Sequence, residues 1–233
     1  HIQHPGSDGE LVSQARSREE AGQILRASLG NLENFLNRSN DIPFVIDELE
    51  RQNNSGPWAG RFDLSRIGMA GHSYGARSTM FAAGELVGPM GDFAKEPRIK
   101  AGVLLSLDLP RRDFDPNRRY GDIRIPSFHI TGTLDDVLGM GTGSASRRTQ
   151  PFKLIPYSPQ YLLVLDGADH DTFSGTRLGT DIEKPMDKDH TTTVSQAAVA
   201  FFDAHLRGLS SKEHWIKLKF SHSLVFGDHF EFK

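Results

Sequence analysis

Apolar residues recur along this chain in two rhythms. Leu25, Leu29, Leu32 and Phe35 are spaced by four, three and three. That stripe predicts an amphipathic helix over residues 17–38, with Gly30 as its weak point. Ser17 and Glu20 stand three apart at its start, the spacing of a capping box. Ile42, Val45, Ile46 and Leu49 sit at i, i+3, i+4 and i+7 and predict a second helix. Asn40 or Asp41 caps it in this reading, Pro43 fits its first turn, and the Asn-Asn-Ser-Gly-Pro run at 53–57 ends it. Beyond that point the rhythm changes to short unbroken apolar runs. Strands are predicted at 66–70, 99–105, 127–131 and 161–165, with a helix from Ala76 to Glu85 and a last one over 191–206. The apolar side of that last helix holds Val194, Ala198, Phe201, Phe202 and Leu206. Residues 1–10 read as the end of an element and a polar turn, and the tail after 206 carries no clear pattern. Residues 110–124 and 139–143 read as connections, the first Arg-rich and the second Gly-rich.

Apolar strands alternating with helices imply an α/β protein with a mostly parallel sheet and helices on both faces. The chain is 233 residues long, enough for a single domain over 1–233. Its 27 Lys and Arg against 30 Asp and Glu give a net charge of −3, which argues against a nucleic-acid partner. No apolar run reaches the ~20 residues that span a bilayer, so no transmembrane segment is expected. The absence of cysteine excludes disulfides, thiolate metal sites and a cysteine nucleophile. It leaves the compartment open, whether secreted, periplasmic or cytoplasmic.

In such sheets the loops at one end of the strands carry the chemistry. Three of these strand ends hold a Ser, an Asp and a His. Gly71-His72-Ser73-Tyr74-Gly75 fits the nucleophile elbow, a tight strand-to-helix turn that lifts a serine above the sheet. Small residues flank such a serine because strand and helix nearly touch, a need met by Gly71 and Gly75. The helix starting there aims its first N–H groups at developing negative charge, so the Tyr74 N–H is a candidate oxyanion donor. A serine hydroxyl needs a base, and His170, just past the last strand in Gly-Ala-Asp-His, is the candidate. The imidazole needs an anion, and Asp135 or its neighbour Asp136, past the third strand, supplies one. Asp166 and Asp169 are too local to orient the ring and read as turn formers. The chain order Ser73, Asp135, His170 is that of the α/β-hydrolases.

The segments 67–76, 130–136 (ITGTLDD) and 165–173 (LDGADHDTF) resemble the α/β-hydrolase superfamily. They are most similar to its dienelactone-hydrolase-like and platelet-activating-factor-acetylhydrolase-like esterases, a group bordering cutinase-like polyester hydrolases. The resemblance covers the chain as far as the final predicted helix. It implies a serine esterase with Ser73, Asp135 and His170 as triad, no cofactor, and a small-molecule or lipid-like ester as substrate. It also places the acid three residues after Gly132, at Asp135 rather than Asp136. True dienelactone hydrolases use cysteine, so their substrate class is not implied. The family's second oxyanion donor comes from a His-Gly segment after an early strand, which has no counterpart here. Residues 1–8 resemble the end of the family's fourth strand and its loop. The expectation is therefore a domain lacking its N-terminal strands, weakly active or inactive and poorly soluble alone. Acyl transfer, peptide hydrolysis, or a non-catalytic binding module on the same fold are the alternatives.

Other chemistry has plainer readings. His1/His4 and His222/Asp228/His229 are loose clusters without helical metal-ligand spacing, so no metal is expected. Arg111, Arg112, Arg118, Arg119 and Arg124 alternate with Asp113, Asp115 and Asp122. They read as a self-neutralising surface rather than an anion clamp. The glycines at 139, 141 and 143 lack the Gly-Lys-Ser/Thr ending of a phosphate loop and read as a loop over the site.

Overall fold

A computed structural model of the chain describes residues 14–28, 31–107, 115–135, 145–174 and 186–233. The Gly-rich segment at 139–143, Asp136, His1, His4, Arg111 and Arg112 lie outside them. Five strands form one sheet in the order β1–β2–β3–β4–β5: β1 Ile67–His72, β2 Ile99–Leu105, β3 Ser127–Leu134, β4 Gln160–Asp169 and β5 His229–Phe232. The first four pair in parallel, and β5 runs antiparallel along β4. The molecule is thus an α/β protein with a mostly parallel sheet. Among the described residues, β1 pairs only with β2.

Successive side chains of a strand face opposite ways, and here both faces are covered. Val103, Phe128, Ile130, Tyr161, Leu163 and Leu165 lie in one fully buried cluster with Ala197 and Phe201 of a helix at Asp187–Arg207 (α7). Leu104, one residue from Val103, belongs to a second cluster with Ala76 and Met80 of the helix Tyr74–Ala83 (α3). The Phe201 ring meets Phe128 and Tyr161 at centroid distances of 5.6 and 5.5 Å. Burying each such ring contributes about 2–3 kcal/mol. This is why the apolar runs at β2–β4 are unbroken.

The first two predicted helices do not divide where expected. One helix covers Arg18–Ser28 (α1) and a single 24-residue helix covers Leu32–Ser55 (α2), with Pro43 inside it. Asn31, not Asn40 or Asp41, is the cap; its side chain accepts the N–H groups of Glu33 and Asn34 at 2.9 and 3.2 Å. Proline in a helix interior costs about 3 kcal/mol. Packing offsets it on both sides of the proline: Phe35 meets Phe81 edge-on at 5.3 Å. Ile42 and Ile46 pack with Ala82 and Ile99.

The patternless tail is also part of the fold. A helix Ser210–Leu218 (α8) buries Ile216, a short turn buries Phe220, and β5 adds Phe230 to the same cluster. Three further short helices are Pro116–Tyr120 (α4), Ala145–Arg148 (α5) and Gln150–Leu154 (α6). Among the described residues no helix is long and apolar enough to cross a membrane.

Candidate active site

Ser73 stands between β1 and α3 with φ 56° and ψ −114°. Only one other non-glycine described residue has positive φ, Ser106 at the end of β2 (φ 58°). A serine held there costs on the order of 1–3 kcal/mol, so the surroundings must enforce it. They do so through the Ser73 N–H, which donates to Leu105 O of β2 at 2.9 Å, and the Ser73 carbonyl, which accepts from Arg77 N at 3.1 Å. A Cβ on Gly71 would lie 2.2 Å from both the carbonyl carbon and oxygen of Gly75. The strand and helix therefore do touch at Gly71. The contact is with the Gly75 backbone, but a Cβ on Gly75 itself would point into space with nothing within 4 Å among the described residues, so of the two flanks only Gly71 has to be small. Tyr74 is the first residue of α3, so its N–H lies in the first turn, where the positive end of the helix dipole sits.

Asp135 and His170 meet two and three strands away. β3 and β4 run side by side until Leu134 pairs with Asp169, which puts the next residue of each strand at the same level. Gly132 permits this approach: a Cβ on it would sit 2.1 Å from Ala168 O. The His170 Nδ1 lies 2.9 Å from Asp135 Oδ1. Asp135 is fully buried and His170 is 8% exposed. The Asp135 carboxylate can only accept, so Nδ1 carries the proton and Nε2 is the basic nitrogen. Asp169 caps the turn that carries His170, accepting Thr172 N at 3.0 Å, and Thr133 donates to Asp166 Oδ1 at 3.0 Å. Asp169 is thus a turn former, as its local spacing suggested, whereas Asp166 lies within β4 and is tied to β3 instead.

Burial alone would push the Asp135 carboxyl up. The hydrogen bond from His170 and the Arg148 charge outweigh it and hold the carboxyl below its usual value. Thr131 Oγ1 donates to Asp135 Oδ2 at 2.7 Å. Arg148 Nε donates to the Asp135 carbonyl at 2.9 Å and lies 3.1 Å from Oδ1. Its Nη1 donates to the Ser106 carbonyl.

The neighbour of Ser73 in the chain, His72, touches this pair. The His72 ring lies 4.6 Å from the His170 ring, centroid to centroid, and His72 Nε2 is 3.0 Å from the His170 carbonyl oxygen. Burial, and then the nearness of His170, pull His72 down to about 4. The structure thus joins Asp135 to His170 and sets Ser73 beside a residue in contact with His170. Among the described residues no hydrogen bond links the Ser73 hydroxyl to His170.

Thr131, Arg148, Ser106 and His72 were not singled out from sequence. Thr131 and His72 lie inside the motifs, where a site role was open to reading. Arg148 and Ser106 carry no local signal, because only the folded sheet brings them to Asp135. The Arg-rich connection is partly structural: Arg119 and Arg77 both pair with Glu85, whose side chain is fully buried. Arg124 stacks over Tyr157 at 5.0 Å. Asp228 accepts Asp166 N at 2.8 Å and His229 pairs with Glu231 at 3.3 Å. Among the described residues no group of three or more His, Asp or Glu side chains is placed to hold a metal ion.

Comparison of the chain with protein-family models and with curated proteins returns no match.

Proposed function

We propose that this chain is a serine hydrolase of the α/β-hydrolase fold that cleaves carboxylic esters. The observation that carries the reading is the pairing of a strained serine at a strand-to-helix turn (φ 56°) with a buried Asp–His hydrogen bond of 2.9 Å. Both follow the C-terminal ends of strands in one parallel sheet, Ser73 after β1 and the pair after β3 and β4. Strain at one polar residue needs a reason, and nucleophile elbows supply it.

In this reading Ser73 Oγ attacks the ester carbonyl and its proton passes to His170 Nε2. The Tyr74 N–H stabilises the oxyanion. The tetrahedral adduct collapses, the alcohol leaves with the proton from His170, and Ser73 holds the acyl group. Water then attacks, again with His170 as base, and the acid departs. Asp135 fixes the ring tautomer and stabilises the imidazolium. In this reading the Ser73–His170 hydrogen bond forms when substrate is bound.

Turnover of a short-chain p-nitrophenyl ester tests the proposal. Ser73→Ala should lower kcat by at least about 10³-fold with the fold intact by circular dichroism. Retained turnover in that variant would remove the proposal.

A further inference from the structure

Asp135 is a buried carboxylate that already holds an imidazole, and the fold gives it a cationic neighbour as well. Arg148 is 3% exposed. It comes from α5, an element separate from every strand of the site. One guanidinium ties three things together: the carboxylate of Asp135, the carbonyl of the same residue, and the carbonyl of Ser106 at the strained end of β2. With Thr131 on Oδ2 and His170 on Oδ1, both carboxylate oxygens have donors. A buried arginine aimed at a carboxylate is not a neutral choice, since a hydrophobic residue fills such space at no electrostatic cost. Its fork suits it to fix position and charge at once.

We propose that Arg148 is a positioning residue of the candidate site, holding the Asp135 carboxylate ionised and in the place where it accepts from His170 Nδ1. The inference rests on the serine-hydrolase reading above and deepens it. Its electrostatic logic has one sign. The Arg148 charge opposes burial and helps hold the Asp135 carboxyl below its usual value. Removing the guanidinium lets burial push the carboxyl up, and a protonated Asp135 no longer accepts from His170 Nδ1. The acid limb of activity therefore moves to higher pH. Among the described residues, the other charged or titratable groups on the elements around the pair include His72 from β1, Asp169 and Asp171 on either side of His170, and Asp187 and the buried His190 of α7. Asp187 accepts from Thr172 Oγ1 at 3.2 Å. None of these carries a fixed positive charge, and burial disfavours the protonated form of His72. Arg148 is therefore the fixed positive charge at this place among the described residues.

The test compares the full chain with Arg148→Gln and Arg148→Lys. Two readouts are taken: the pH profile of kcat/KM on the p-nitrophenyl ester, and the pH at which the His170 ring resonances move by NMR. Arg148→Gln should shift both upward by about one pH unit, the size expected of a full charge lost at close range in a partly polar interior. Arg148→Lys keeps the charge and loses the fork, so kcat should fall several-fold while the acid limb stays in place. An unmoved acid limb and ring titration in Arg148→Gln would overturn the inference. So would a limb displaced by Arg148→Lys, which decides the matter if the Gln variant fails to fold. Absence of ester turnover in the parent chain would count against the hydrolase reading alone, because the ring titration still reports on Arg148.

Discussion

Gly132 offers the sharpest single perturbation of this site. It sits in β3 where β3 and β4 approach most closely, three residues before Asp135 and opposite the segment that leads to His170. A Cβ placed there would lie 2.1, 2.5 and 2.6 Å from the O, C and Cβ of Ala168. Ordinary contacts between such atoms are about 3.5 Å, so the two strands must part by about 1 Å or more. The obstructing atoms are backbone, which a rotamer change cannot move. Overpacking of this kind costs about 1–3 kcal/mol of stability. The functional cost is larger, because the displacement falls on the 2.9 Å hydrogen bond between Asp135 and His170. A misplacement of about 1 Å in catalytic geometry lowers rates by about 10²-fold. Gly132→Ala should therefore lose about 2 kcal/mol in urea denaturation and about 10²-fold in ester turnover, with KM changed much less than kcat. A Gly132→Ala protein with parental stability and turnover would show that β3 and β4 do not meet as described, and the Asp135–His170 geometry would fall with it.

Three further outcomes follow from the same coordinates. Gly71→Ala, whose Cβ meets the Gly75 backbone at 2.2 Å, should destabilise the fold by about 2–3 kcal/mol. Gly75→Ala, with open space, should change stability by under about 1 kcal/mol; thermal melts compare the two. Ser73→Gly should raise stability by about 1 kcal/mol in denaturant titration while abolishing turnover, since glycine accepts φ 56° without strain. His129 is fully buried in β3, and burial pulls it down to about 4, against the opposing hydrogen bond with Gln160; His72 behaves alike. Both therefore take up protons more readily in the unfolded chain. Stability should be flat above about pH 6.5 and fall as pH drops from there towards 4, by on the order of 3 kcal/mol for His129 alone. His129→Gln should flatten that slope in urea titrations at pH 7, 6, 5 and 4.

Much of this architecture was legible in the residues. The apolar runs at β2, β3 and β4 are continuous because both faces of a parallel sheet are buried, and that continuity survives in a single sequence. The strand-to-helix turn was legible because its backbone demands a glycine at position 71, next to a serine at 73 that the backbone does not favour. The helix boundary at Asn31 was missed because two signals competed. Pro43 marks a helix start locally, and only the contacts of Ile42, Ile46 and Phe35 with the sheet layer override it. The role of the tail was missed because β5 is a four-residue edge strand, too short to show a period. Its partner, β4, supplies the order. Arg148 was illegible for a related reason. Nothing near it in the chain distinguishes it from Arg147, and its meaning comes from Asp135 and Ser106, which the fold delivers from 13 and 42 residues away.

The central claim is that Ser73 is a nucleophile activated by the Asp135–His170 pair. A fluorophosphonate probe reads this directly, because it phosphonylates only an activated serine. Incubation of the chain with the probe, followed by digestion and mass spectrometry, should place the adduct on the peptide containing Ser73, and His170→Ala should slow labelling by at least about 10²-fold. No adduct on that peptide, or labelling at an undiminished rate in His170→Ala, would contradict the account.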